Sequence, residues 1–251
     1  MNNLINLFQF PEKMAIDIPV TKLSLKNNEN CTLSERKLLE GASVQSIRIK
    51  SLIKQETANI QYYQSAEESY VEVYVFEVIL QKDQYAKIFK QISHLLHKLI
   101  PHHCIISLVS DENELRNVSL ATKSISKNSN ALRVIQNEYY SNHLDFFNVD
   151  FVEALDFKKA NKHDLKAFYL YYLQVFQNYN LLAHIDTYKL RNYDVTEQML
   201  LLQEQIKALE YEIKSAKKAL ATATQMNEKV RINSDIHQLK NSIQELKNKL
   251  N

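Results

Sequence analysis

The spacing of apolar positions changes character several times along the chain. Val44 to Ile53 alternates, with Ile47 and Ile49 against Arg48 and Lys50, and Tyr70 to Leu80 alternates again through Val71, Val73 and Val75. Both patterns predict strands. Between Gln84 and Ile100 the period becomes helical, with Tyr85, Ile88, Phe89, Ile92, Leu95, Leu96 and Leu99 on one stripe, and Pro101 stops it. Cys104 to Val109 follows as a short apolar run of the kind buried on both faces of a sheet. Strand, helix and strand make a βαβ crossover, with the helix laid against one face. Further strands are expected over Asn117–Ile125, hairpin-paired with Cys104–Val109, and near Leu132–Tyr139.

Upstream, residues 1–31 read as an extended arm, because Pro11 and Pro19 interrupt helix and Ile16, Ile18 and Val20 alternate. Thr32 to Glu35 has the form of a capping box, which starts a short helix ending near Gly41. Downstream of the aromatic residues Phe146, Phe147, Phe151 and Phe157, the segment His163–Ile185 is helical by spacing. Its stripe of Leu165, Phe168, Tyr172, Val175, Phe176 and Tyr179 reads as core.

The last segment is nearly mirror-symmetric about Thr224 and Gln225. Met199 pairs with Leu250, Leu202 with Leu246, Ile206 with Ile243, Leu209 with Leu239, Ile213 with Ile236, Ala216 with Ile232 and Leu220 with Val230. One straight helix would break register across that centre, whereas two helices folded back on each other align both stripes. Asp194 to Glu197 has the spacing of a second capping box, with Asp194 at the cap. The expected architecture is therefore mixed α/β: a small mixed sheet with a crossover helix over 1–145, an aromatic-rich helical segment over 146–193, and an antiparallel coiled-coil hairpin over 194–251.

Composition narrows the function classes. Gly41 is the only glycine, which excludes Walker-type and Rossmann-type phosphate loops and a glycine-flanked nucleophile elbow. The 31 basic and 29 acidic residues leave a net charge of +2, so no global pull toward nucleic acid or lipid exists. Cys31 and Cys104 are too few and too far apart for a disulfide framework, which implies a reducing cytoplasm. The opening residues do not read as a secretory signal, no stretch approaches the roughly 20 apolar residues of a spanning helix, and no membrane contact is expected.

Three constellations carry possible chemistry. His94, His97, His102 and His103 are metal-ligand types in one stretch, but His94 and His97 are expected beside Lys87, Lys90 and Lys98, opposite the apolar stripe and without a carboxylate nearby. The simpler reading is a solvated helix end, with Cys104 as a small core residue. A metal-dependent nuclease would cluster carboxylates on adjacent strands, and Glu72, Glu77 and Asp111 are the candidates. Glu72 and Glu77 are an odd number of residues apart, however, so a regular strand puts them on opposite faces. Arg48, Lys50 and Lys54 along one strand and Lys87 and Lys90 along one helix are candidate phosphate contacts, with solvated faces as the plain alternative.

Ser46-Ile-Arg-Ile, Glu56-Thr-Ala-Asn-Ile60, Tyr70-Val-Glu-Val and Ile100-Pro-His102, taken in order, resemble an uncharacterised bacterial domain-of-unknown-function family. Gln225 to Asn233 resembles that family's turn between its two terminal helices. The resemblance implies a cytoplasmic protein encoded near helicases and DNA methyltransferases in restriction-like, anti-phage loci. It supplies no catalytic residues, and relatives carry acid and lysine where this chain has Ile79 and Gln81. The leading expectation is a non-catalytic accessory subunit without cofactor. Its hairpin residues Met199, Leu202, Ile206, Leu209, Ile213, Ile236, Leu239, Ile243 and Leu246 would hold a helicase or methyltransferase partner or a second copy. The alternative is a metal-dependent nuclease acting on DNA.

Overall fold

The computed structural model describes residues 3–126 and 129–250. The chain divides into two compact units, Met1–Phe176 and Gln177–Asn251.

The first unit is built on a six-stranded mixed sheet. Its strands are β1 (Ala15–Pro19), β2 (Val44–Lys54), β5 (Glu72–Leu80), β6 (His103–Ser110), β7 (Arg116–Ser126) and β8 (Ser129–Tyr140), in that spatial order. β3 (Tyr63–Gln64) and β4 (Ser69–Tyr70) form a separate two-stranded ladder. β5 and β6 are parallel and the other neighbours in the large sheet are antiparallel. The parallel pair requires a crossover, and α5 (Lys82–Leu99) supplies it. β6 is buried along its whole length, as a central strand covered on both faces must be.

The residues expected on the helix stripe fill one side of the sheet. Tyr85, Ile88, Ile92, Leu95, Leu96 and Leu99 of α5 pack with Phe76, Val78 and Leu80 of β5 and Cys104, Ile106 and Leu108 of β6. Against the other side lies Tyr169, whose phenol donates to the carbonyls of Cys104 and Ala121 and accepts from the Ala121 amide.

The N-terminal arm is not simply extended. Besides β1 it contains α1 (Leu4–Leu7), a 3-10 turn over Glu12–Met14 and α2 (Lys22–Lys26), because Asn3 and Thr21 cap the two helices and the prolines fall outside them. α3 (Leu33–Glu40) starts on the expected capping box, the Thr32 hydroxyl accepting from the Glu35 amide and the Thr32 amide donating to Glu35 at 2.7 Å. It ends at Gly41. α4 (Gln55–Ala58) and α6 (Val149–Leu155) are short connectors. α7 (Leu165–Leu181) carries the aromatic stripe, and all six of its residues are buried, as core side chains are.

The second unit is the helical hairpin, α8 (Tyr193–Thr222) and α9 (Met226–Leu250), packed together across a three-residue turn at the predicted place. Asn192, not Asp194, caps α8, accepting from the Val195 amide at 3.0 Å, and Asp194 falls in the first turn. Ile206, Ile236 and Ile243 are buried, and Leu202, Leu209, Ile213, Leu239 and Leu246 are half-buried. The outermost expected pair is corrected: Val230 is 58% exposed, so α9 turns its seam toward Ile232 and leaves Leu220 without that partner. Below the seam, Gln203 donates to the Asn180 carbonyl and Asn178 to the Thr196 hydroxyl.

No described helix is long and apolar enough to cross a membrane.

Candidate functional site

The first unit carries a cleft of about 550 Å³ between α3, α5 and β8. α3 contributes Ser34, Glu35 and Leu38, α5 contributes Lys90, Gln91 and His94, and β8 contributes Glu138 and Tyr140. Register explains why the last two face α5. Glu138 pairs with Ala121 and Tyr140 with Ser119, and Ser119 pairs with Ile106 on the sheet face that α5 covers.

Glu138 is the hub of the cleft. His94 Nδ1 lies 2.6 Å from its Oε1, and the Tyr140 hydroxyl donates to its Oε2 at 2.7 Å. A carboxylate oxygen accepts, so Nδ1 is the donor of this contact and the carboxylate fixes the orientation of the ring. Burial and then Glu138 push the Tyr140 phenol above its ordinary range. Lys90 Nζ stands 5.2 Å from the Tyr140 ring centroid, a cation–π contact. On the facing wall Lys98 donates to both oxygens of Glu35 at 2.9 Å. Burial raises the Glu35 carboxyl, but the Thr32 amide and the Lys98 ammonium outweigh it and hold the group below its usual range. An oriented imidazole beside a cation can bind a small polar molecule or move a proton.

The other histidines are dispersed. His97 is 1% exposed, not solvated, with Nε2 3.0 Å from the Ser119 hydroxyl and Nδ1 without a partner. His102 is half-buried, 3.7 Å from Glu72. His103 is buried, stacked at 3.7 Å and 9° on Tyr70 with Tyr169 at its edge, and neither ring nitrogen has a partner. Burial, with Lys123 next in importance, drives both buried imidazoles well below the ordinary histidine range. Two expectations are thereby corrected: His97 turns toward the sheet, and His94 does have a carboxylate. Among the described residues no group of three His, Cys, Asp or Glu is placed to hold a metal ion.

Sequence reading missed Lys123. It is 1% exposed on β7, and its ammonium donates to the carbonyls of Ile100 and His102, both at 2.7 Å. Those carbonyls lie at and just beyond the C-terminus of α5, where unpaired acceptors and the negative end of the helix dipole favour a cation. Burial lowers the Lys123 pKa, and burial lifts the Cys104 thiol to about 11, which keeps it protonated and unreactive.

The nuclease candidates do not meet. Register puts Glu72 opposite Lys54 and Glu77 opposite Arg48, on opposite faces. Asp111 accepts from the Lys82 and Glu112 amides and from Gln45, so it caps α5. Two of the proposed phosphate contacts are neutralised within the fold. Arg48 and Lys50 reach Asp17 at 2.7 and 3.0 Å, and Lys50 lies 3.9 Å from Glu77, which also accepts from Asn3. Those two bases pull the Asp17 carboxyl down to about 2. Lys54 has Glu56 at 3.9 Å, Lys90 lines the cleft, and Lys87 is exposed.

Of the nine hairpin residues expected to hold a partner, Met199, Ile206 and Ile243 are buried in one apolar cluster with Leu181, Ile185 and Leu250, and Leu202, Leu209, Ile213 and Leu246 pack against it. Ile236 is buried and Leu239 half-buried. What α8 leaves to solvent is a different set: Tyr193 and Val195 in its first turn, and Leu201 and Tyr211, 56% and 75% exposed, along its length.

A family model described as "Domain of unknown function (DUF4391)" matches residues 8–243. No curated protein and no solved structure matches the chain.

Proposed function

The chain belongs to the DUF4391 family, and from that premise we propose that it is a non-catalytic interaction subunit that docks through the outer face of its helical hairpin. The observation that carries this reading is the exposure of Leu201 and Tyr211 on a 30-residue helix whose other large apolar side chains are mostly spent on the seam. On the helix surface the charged neighbours of Leu201 are Glu197 and Glu204, and those of Tyr211 are Lys207 and Lys214. The matching partner surface is an apolar patch with a rim of mixed charge, basic toward Leu201 and acidic toward Tyr211. The family resemblance suggests that this partner is a helicase or DNA methyltransferase of a cytoplasmic anti-phage assembly. The dispersal of Glu72, Glu77 and Asp111 supports a binding role over nuclease chemistry.

Co-expression of the tagged full chain with the proteins encoded beside its gene, among which a helicase or methyltransferase is expected, tests the reading. The double variant Leu201→Glu, Tyr211→Glu should recover at least about tenfold less partner, the loss of one to two kcal/mol expected from removing two apolar anchors, with an unchanged helical spectrum. Equal recovery by parent and variant rules out docking on this face.

A further inference from the structure

Charge is distributed unevenly along the hairpin. Residues 213–232, which include the turn, hold Lys214, Lys217, Lys218, Lys229 and Arg231 against Glu228 alone, a net +4. Residues 193–212 together with 233–250 carry a net −3. Four of the five cations are exposed and Lys229 is half-buried. None of the five takes part in an ion pair among the described residues. This separates them from Arg48 and Lys50, which the fold has already paired.

The cations sit on both arms within eight residues of the helix ends, about 12 Å of rise. Over that length a nucleic-acid duplex presents about seven phosphates, one per roughly 1.7 Å. Two helices packed 8–10 Å apart, each about 10–12 Å wide, form an end roughly 20 Å across, comparable with a duplex. An anionic membrane fits less well. Surface-bound helices lie flat with an apolar face down, whereas here the apolar stripes are turned inward and the cations are spread up both arms, at different depths from any plane the turn would touch.

We propose that the turn end of the hairpin binds the phosphate backbone of duplex nucleic acid, independently of base sequence. Exposed Met226 and Val230 lie at the same end and would contact sugar edges. This binding goes beyond the docking reading and does not depend on it, since the test contains no protein partner.

Fluorescence anisotropy of the full chain with two unrelated labelled DNA duplexes, over a salt series, measures it. Five phosphate contacts at about 0.9 per contact give a slope of log affinity on log salt near −4.5. The triple variant Lys217→Gln, Lys218→Gln, Arg231→Gln should bring the slope to about −2 and weaken binding at 0.1 M salt by at least about 100-fold. Lys87→Gln should change neither. A parent that does not bind duplex, a triple variant of unchanged helical content that binds as the parent does, or a parent that binds only phosphatidylserine vesicles each overturns the proposal.

Discussion

Replacing His103 by phenylalanine should stabilise the protein, and more so in acid. The imidazole is held between Tyr70 and Tyr169 with both nitrogens buried and unpartnered. A phenyl ring keeps the stacking and removes two polar atoms whose desolvation costs about 1–3 kcal/mol each when unpaired. Some of that gain is lost to imperfect fit, so about 1–2 kcal/mol is expected at pH 7.5. The acid contribution is separate. His103 and His97 are neutral in the folded protein, driven well below the ordinary value of 6.5, while the unfolded chain protonates both near 6.5. The unfolded state therefore binds more protons below that value, and stability is full above it and falls as pH drops. Protonation of the unfolded chain sets the ceiling of that loss at pH 5, about 2 kcal/mol per histidine and roughly 4 kcal/mol for the pair. Asp17 and Glu35, whose carboxyls are held low, act only below about pH 5 on the same reasoning, while burial also lowers His102 and His184, which add to the loss in parent and variant alike. Urea unfolding at pH 7.5, 6 and 5, followed by the near-ultraviolet dichroism of the tyrosines in a chain without tryptophan, measures both effects. The advantage of His103→Phe should widen between pH 7.5 and 5, by at most about 2 kcal/mol. Parallel curves for parent and variant, or a variant weaker at pH 7.5, would refute the argument.

Lys123→Met removes two charge-assisted hydrogen bonds from the end of α5 and should cost about 1.5–3 kcal/mol in urea unfolding at pH 7.5. In the hairpin, Ile206→Ala, fully buried on the seam, should cost about 2–5 kcal/mol. Solvent-facing Leu201→Ala should stay within about 0.5 kcal/mol, and thermal melting of the helical signal separates the two.

Apolar period made β2, β5, α5, β6 and the hairpin legible, because each buries a face whose residues are hydrophobic in a regular rhythm. The same signal is blind to polar residues on a buried face. Ser93 and His97, one helical turn apart, widen the buried side of α5 beyond its apolar stripe, and nothing in their neighbours announces it. Lys123 is hidden for a related reason: its acceptors belong to the end of another element, so only the docking of α5 on β7 gives the buried ammonium its partners. Glu138 and Tyr140 joined His94 through strand register, which local pattern does not encode. The seam residues were found correctly as a stripe, but a stripe does not say whether it meets the other arm or a second protein.

The single parallel pairing in the main sheet has a consequence in time. β6, β7 and β8 follow one another as a meander, so their contacts close over short spans of chain. β5 reaches β6 only after the whole of α5 has formed and crossed, and β2 reaches β5 across β3 and β4. Closing a longer loop costs more entropy before any contact returns it. The meander is therefore expected to form first, with the sheet growing from it toward its N-terminal edge and β1, farthest from it in the sheet, joining last.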